Sequence, residues 1–189
     1  MKYKKAMFFL STTVMGCLLF CNIGCAKDDI LTKSNLEEFY NSFASAKLKG
    51  GDEYIHFHIV HFDDSINEIK RIKNNFPKKD NEEQESRAEA SVMERNKTDM
   101  IKTAAALSKM NKYHNVENEI LSIYHDPQTG NLSTKIKTTA RFDMYRYGFD
   151  EPFHVDEVMI CDDVLTKRDD IIIILKTDCT VDFNIDRRI

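Results

Sequence analysis

The chain has 189 residues, a formal net charge of −4, 31% charged and 42% hydrophobic residues, and no tryptophan. That length suits one domain of ordinary core volume, and the mild acidity argues against nucleic acid or an anionic lipid surface as partner. Only four glycines follow residue 26, none in a dinucleotide-binding or phosphate-loop arrangement, which argues against a glycine-loop nucleotide enzyme.

In chain order, Lys2, Lys4 and Lys5 precede an uncharged run from Ala6 to Ala26. A basic start and an apolar run are the marks of a signal peptide or signal anchor. Several endings of that run compete. Ile23-Gly24-Cys25 resembles the end of a bacterial lipobox, with Asn22 off the pattern, and directs lipid attachment to Cys25. Val14 to Cys17 resembles one too, but would leave Leu18-Leu19-Phe20 behind the lipid. Gly24-Cys25-Ala26 also satisfies the small-x-small rule for cleavage before Lys27, and an uncleaved run of about 20 apolar residues spans a bilayer. Lipidation at Cys25 ranks first. Every ending places residues 27–189, a single domain of charge −7, outside the cytoplasm, on the periplasmic side of a bacterial envelope.

From Ser34 to Lys49 the apolar residues Leu36, Phe39, Tyr40, Phe43 and Ala46 recur with helical spacing, with Ser34 and Glu37 as a capping box and Gly50-Gly51 as the stop. Tyr54 to Phe62 is short, aromatic and β-branched, and predicts a strand. Ser65 to Phe76 returns to helical spacing through Ile66, Ile69 and Ile72, with Ser65 and Glu68 as a second box. A polar loop near 77–89 leads into a helix reaching Lys112, packed through Met100, Ala104, Leu107 and Met110. Strands follow over Val116–Tyr124, Leu132–Tyr145, Pro152–Ile160 and Ile171–Phe183. Ile171 to Ile174 is apolar on both faces, as a covered central strand would be.

These elements predict an α+β domain with helices packed on a curved, mainly antiparallel sheet. Their order resembles the nuclear-transport-factor-like and, more broadly, cystatin-like rolls. The resemblance rests on element order alone and carries no functional residue across.

Two cysteines, Cys161 and Cys179, fall in the exported domain, where a disulfide can persist. A hairpin turning near Leu165–Lys167 would set Cys161 opposite residue 171, so a bridge requires a longer connection; the alternative is two small buried thiols. On a strand, His56 and His58 would point the same way, roughly 6–7 Å apart, a spacing that suits two metal ligands. A third would come from His125 or His154. Histidines on a strand more often hydrogen-bond at a wall or surface. The pairs Asp28-Asp29, Asp63-Asp64, Asp162-Asp163 and Asp169-Asp170 fall at element boundaries, where aspartate caps and closes turns. Arg141, Asp143, Tyr145 and Tyr147 share the outward face of one predicted strand. Arg141, Tyr145 and Tyr147 are the candidate partner-binding residues, because arginine and tyrosine anchor interfaces.

There is no H-E-x-x-H, no G-x-S-x-G and no cysteine in a nucleophile setting. The sequence thus implies no catalytic residue and no cofactor. The leading expectation is a non-catalytic, membrane-anchored protein that binds another protein, as an immunity-type inhibitor of a basic, periplasm-acting toxin would. The alternatives are a carrier holding a small apolar ligand among Phe39, Phe43, Phe57 and Phe142, and a metal enzyme using His56 and His58.

Overall fold

A computed structural model describes residues 31–75 and 89–186. The expectations for residues 1–26, including Cys25, and nearly all of the polar loop lie outside the described residues. Three helices and six strands follow in the order α1 (Lys33–Lys49), α2 (Gly51–His61), β1 (Phe62–Asn75), β2 (Glu89–Arg95), α3 (Lys97–Met110), β3 (Asn111–His125), β4 (Leu132–Met144), β5 (Phe153–Arg168) and β6 (Ile171–Asp186). The strands form one sheet in the order β2-β1-β6-β5-β4-β3. Only β1 and β6 run parallel; every other neighbouring pair is antiparallel. Register shifts interrupt the β1–β6, β3–β4 and β5–β6 ladders, and such bulges bend a sheet. The result is an α+β roll, with helices on the inner face of a curved sheet.

Helix α1 begins one residue earlier than its spacing suggests. Thr32, not Ser34, is the N-cap, and its box partner is Asn35, whose side chain accepts from the Thr32 amide at 3.1 Å. Gly50 and Gly51 have φ of 64° and 56°, a region open to glycine, and they break the chain between two helices.

The segment from Tyr54 to His61 is helix, and the strand expected there begins only at Phe62. Tyr54, Phe57 and His58 are buried, the i, i+3, i+4 spacing of a helix face. Packing on α1 and α3 overrides the β-propensity of the aromatic and branched residues. Conversely, Ser65–Asn75 is strand, not helix. Its inward positions alternate as Ile66, Glu68, Lys70 and Ile72, and two charged residues on that face hide the period of two. The helix expected from about 89 is divided: β2 comes first, and α3 starts after Asn96, which caps it by accepting from the Asp99 amide at 3.0 Å. Met100 and Ala104 are buried in α3, but Met110 is exposed.

The last four strands form the antiparallel run expected of them, though β3 and β5 are longer than the apolar pattern. Along β4, residues 132, 134, 136, 138, 140 and 142 are buried in strict alternation. β6 is central in the sheet, but only Ile174 of its isoleucine run is buried; Ile171 is exposed. The main core gathers Leu36, Leu132, Leu165 and Val181, each at most 1% exposed.

Candidate functional site

Between the three helices and the inner face of the sheet lies a cavity of about 360 Å³. That is within the range of about 300–1,000 Å³ typical of small-molecule sites. Phe39, Phe43, Phe57 and Phe142 all line it, and exposed Ser91, Met93 and Arg146 bring it to the surface.

Its interior is charged. Lys47, in the last turn of α1, turns inward to place Nζ 2.6 Å from Glu157 Oε1 of β5 and 4.8 Å from the Tyr113 ring centre. Lysine and glutamate are only 4% and 5% exposed. Burial disfavours the Lys47 ammonium, but Glu157, Tyr113 and Tyr54 together hold its pKa above the usual value. Burial likewise opposes the Glu157 carboxylate, and Lys47 and Lys70 together bring its pKa below the usual value. The pair is therefore ionic at neutral pH. Glu68 of β1, also buried, is bonded by the Arg95 guanidinium of β2.

Asp163 of β5 lies 5% exposed on the cavity wall. The Tyr40 hydroxyl donates to Oδ2 at 2.8 Å and the Thr177 hydroxyl to Oδ1 at 2.5 Å, while Tyr40 also meets the Thr134 hydroxyl at 2.6 Å. Burial pushes the Asp163 pKa up to about 6, despite those two hydrogen bonds. The expectation that Asp162-Asp163 marks an element boundary fails, because both lie within β5 and alternate across it. Lys70 of β1 is half-buried on the same wall, and burial lowers its pKa.

Cys161 and Cys179 are joined by a disulfide and line the cavity. They are direct partners in the β5–β6 ladder, with a Cα–Cα distance of 4.1 Å. The hairpin turns at Asp169-Asp170, both with positive φ, rather than at Leu165–Lys167. That later turn, with one register shift, brings Cys161 opposite Cys179.

The histidines do not assemble. On a helix, residues two apart point roughly 200° from each other, so His56 is exposed while His58 is buried. The His58 Nδ1–H donates to the Tyr54 carbonyl at 2.8 Å, and the ring stacks on Phe62. Burial draws its pKa down to about 4. His61 donates to the Ile172 carbonyl, and His154 shares Asp143 with His114. Among the described residues no group of three ligand-type side chains can hold a metal ion.

The three candidate contact residues also divide. Arg141 is exposed on β4 and paired with Asp156 of β5 at 2.9 Å. β4 ends at Met144, so Tyr145 and Tyr147 belong to the loop beyond it and not to the strand face. The Tyr145 amide donates to the Met110 carbonyl at 2.7 Å, and Tyr147 is fully exposed. Asp143 lies on the same outward face of β4 as Arg141, half-covered between His114 and His154.

The charged set of the cavity was not singled out by sequence reasoning. One signal was available: Val155, Glu157, Met159, Cys161 and Asp163 alternate along β5, so an inward apolar row carries two acids.

No family model and no curated protein matches this chain. Among solved structures, a domain of unknown function with a cystatin-like fold from Nostoc punctiforme is 14% identical. The match covers 78% of this chain and 75% of that one, with a TM-score of 0.45. A type 2 hexachlorocyclohexane dehydrochlorinase is 9% identical over 86% of this chain and 93% of that one, with a TM-score of 0.47. An NTF2-like protein of unknown function from Shewanella baltica is 11% identical over 76% and 88%, at 0.38. None of them lends this chain a residue or an activity.

Proposed function

We propose that this chain is an exported binding protein whose roll cavity takes a small, largely apolar ligand. The observation that supports it is the cavity itself: about 360 Å³, walled by phenylalanine, with a few charged groups fixed by partners inside. Apolar walls supply affinity, and a few placed polar groups orient the ligand. Export and lipid attachment at Cys25 belong to the same proposal, on the strength of the basic start and uncharged run.

A second reading, binding of another protein, is favoured by one feature. Tyr145, Tyr147 and Phe149 are 48%, 106% and 47% exposed within one loop, and clustered aromatics anchor interfaces. An immunity-type inhibitor of a periplasm-acting toxin would use such a surface.

Native mass spectrometry of the full chain, recovered gently from bacterial envelopes, tests both. A co-purifying small molecule that is lost in Leu107→Trp, which fills the cavity, supports the ligand reading. A protein partner lost in Tyr145→Ala with Tyr147→Ala, with the small molecule absent, transfers the function to the loop. Recovery in the membrane fraction should be lost in Cys25→Ser; unchanged recovery removes the lipid from the proposal.

A further inference from the structure

Among the buried and half-buried charged groups that line the cavity, all but one have a bonded partner. Lys47 has Glu157, Arg95 has Glu68, and Asp163 is held by the Tyr40 and Thr177 hydroxyls. Lys70 projects from β1 into the same cavity and makes no ion pair or hydrogen bond among the described residues. Glu157 and Glu68 attract it at longer range, but each is already committed to its own cation. An ammonium partly withdrawn from water without a bonded counter-ion is disfavoured.

A second group on the wall is also unmet. The Asn111 Oδ1 is buried without a hydrogen-bond partner. Its Nδ2 reaches the Tyr113 hydroxyl at 3.4 Å, so exchanging the two amide atoms would only leave the nitrogen unmet instead. The cavity thus presents one ammonium without a bonded counter-ion and one unused amide atom within walls rich in aromatic side chains.

We propose that the ligand is a small organic carboxylate with an apolar body, its carboxylate paired with the Lys70 ammonium and its body among the phenylalanine rings. This rests on the cavity being a ligand site. A cationic ligand would face Lys47, Lys70 and Arg95, while both glutamates are already paired and Asp163 is enclosed by the Tyr40 and Thr177 hydroxyls. A bare inorganic anion would satisfy Lys70 and leave the aromatic walls unfilled.

The test is calorimetric titration of the full chain, in mild detergent, with 2-naphthoate and with its neutral counterpart 2-naphthamide. Wild type should bind the carboxylate at least about tenfold more tightly than the amide, as expected of a desolvated charge-assisted contact. Lys70→Met, with its circular dichroism and thermal midpoint checked, should bind both equally, and Lys70→Arg should keep the preference. Equal binding of the two probes by wild type, or a preference that survives in Lys70→Met, overturns the carboxylate proposal while leaving the cavity as a ligand site. Failure of both probes to bind, or binding indifferent to Leu107→Trp, overturns the ligand site and the carboxylate together.

Discussion

Lys47 and Glu157 are held inside the domain by each other. Neither would be tolerated there alone, since a buried ion without its partner keeps its desolvation cost and loses the attraction that offset it. Lys47→Met should therefore cost about 3–5 kcal/mol of stability, measured by denaturant unfolding, because it strands the Glu157 carboxylate. Adding Glu157→Leu should recover most of that loss, since two apolar side chains of similar volume replace the pair. A double variant as unstable as the single one would mean that the packing of Lys47, not its charge, matters. At this scale the sequence was weakly legible. Lys47 occupies a position three residues after Ala44 and four after Phe43, on the flank of the apolar stripe, where a lysine ordinarily reaches for solvent. Only β5, arriving from 110 residues away with Glu157, makes it an interior residue.

α2 and β1 exchange the structures their local patterns suggest, and the cause is the cavity they enclose. β1 carries Glu68 and Lys70 on its inner face, so its alternation is invisible to a reading based on hydrophobicity alone. α2 is apolar on most sides because it packs on α1 and α3, and its helical period is blurred for the opposite reason. β4, by contrast, has one ordinary core face, and its alternation is visible in the sequence. The β5–β6 hairpin carries the clearest test at the level of elements. Its disulfide closes a loop with a sequence separation of 18, and such a constraint on the unfolded chain is worth about 3 kcal/mol. Cys161→Ser with Cys179→Ser should lower stability to unfolding by about that amount and leave the sheet intact, because the ladder extends well past the bridge on both sides. Loss of sheet signal in circular dichroism would show instead that the bridge sets the register.

For the molecule as a whole, two buried groups pull stability in opposite directions with pH. Asp163 keeps its proton up to about pH 6 in the folded chain, against an ordinary value of 3.8. As pH rises between these values, the unfolded chain releases that proton first, so stability falls. His58 is held neutral down to about pH 4, against an ordinary 6.5. As pH falls between those values, the unfolded chain takes up a proton first, so stability falls in that direction. The two displacements are similar in size and their windows overlap from about pH 4 to 6, so their contributions nearly cancel. Asp163→Asn removes one of them and leaves the His58 slope exposed. The variant's thermal midpoint should drop from about pH 6.5 to 4.5 more steeply than that of wild type. Parallel profiles for the two proteins would show that Asp163 titrates normally.

What the sequence determined by itself is whatever depends on neighbours along the chain. Lys33 to Lys49 forms a helix because its apolar spacing repeats and glycines stop it. The strands after Asn111 pair as antiparallel neighbours because their turns are short or punctuated, and the mixed α+β class follows from the sum of such segments. Tertiary structure alone decided which charges lie inside, that Cys161 meets Cys179, and that His56 and His58 part company. Each of these depends on a register or a packing partner many residues distant, and a single shift of one residue in a ladder would turn Glu157 and Asp163 to the other face of the sheet.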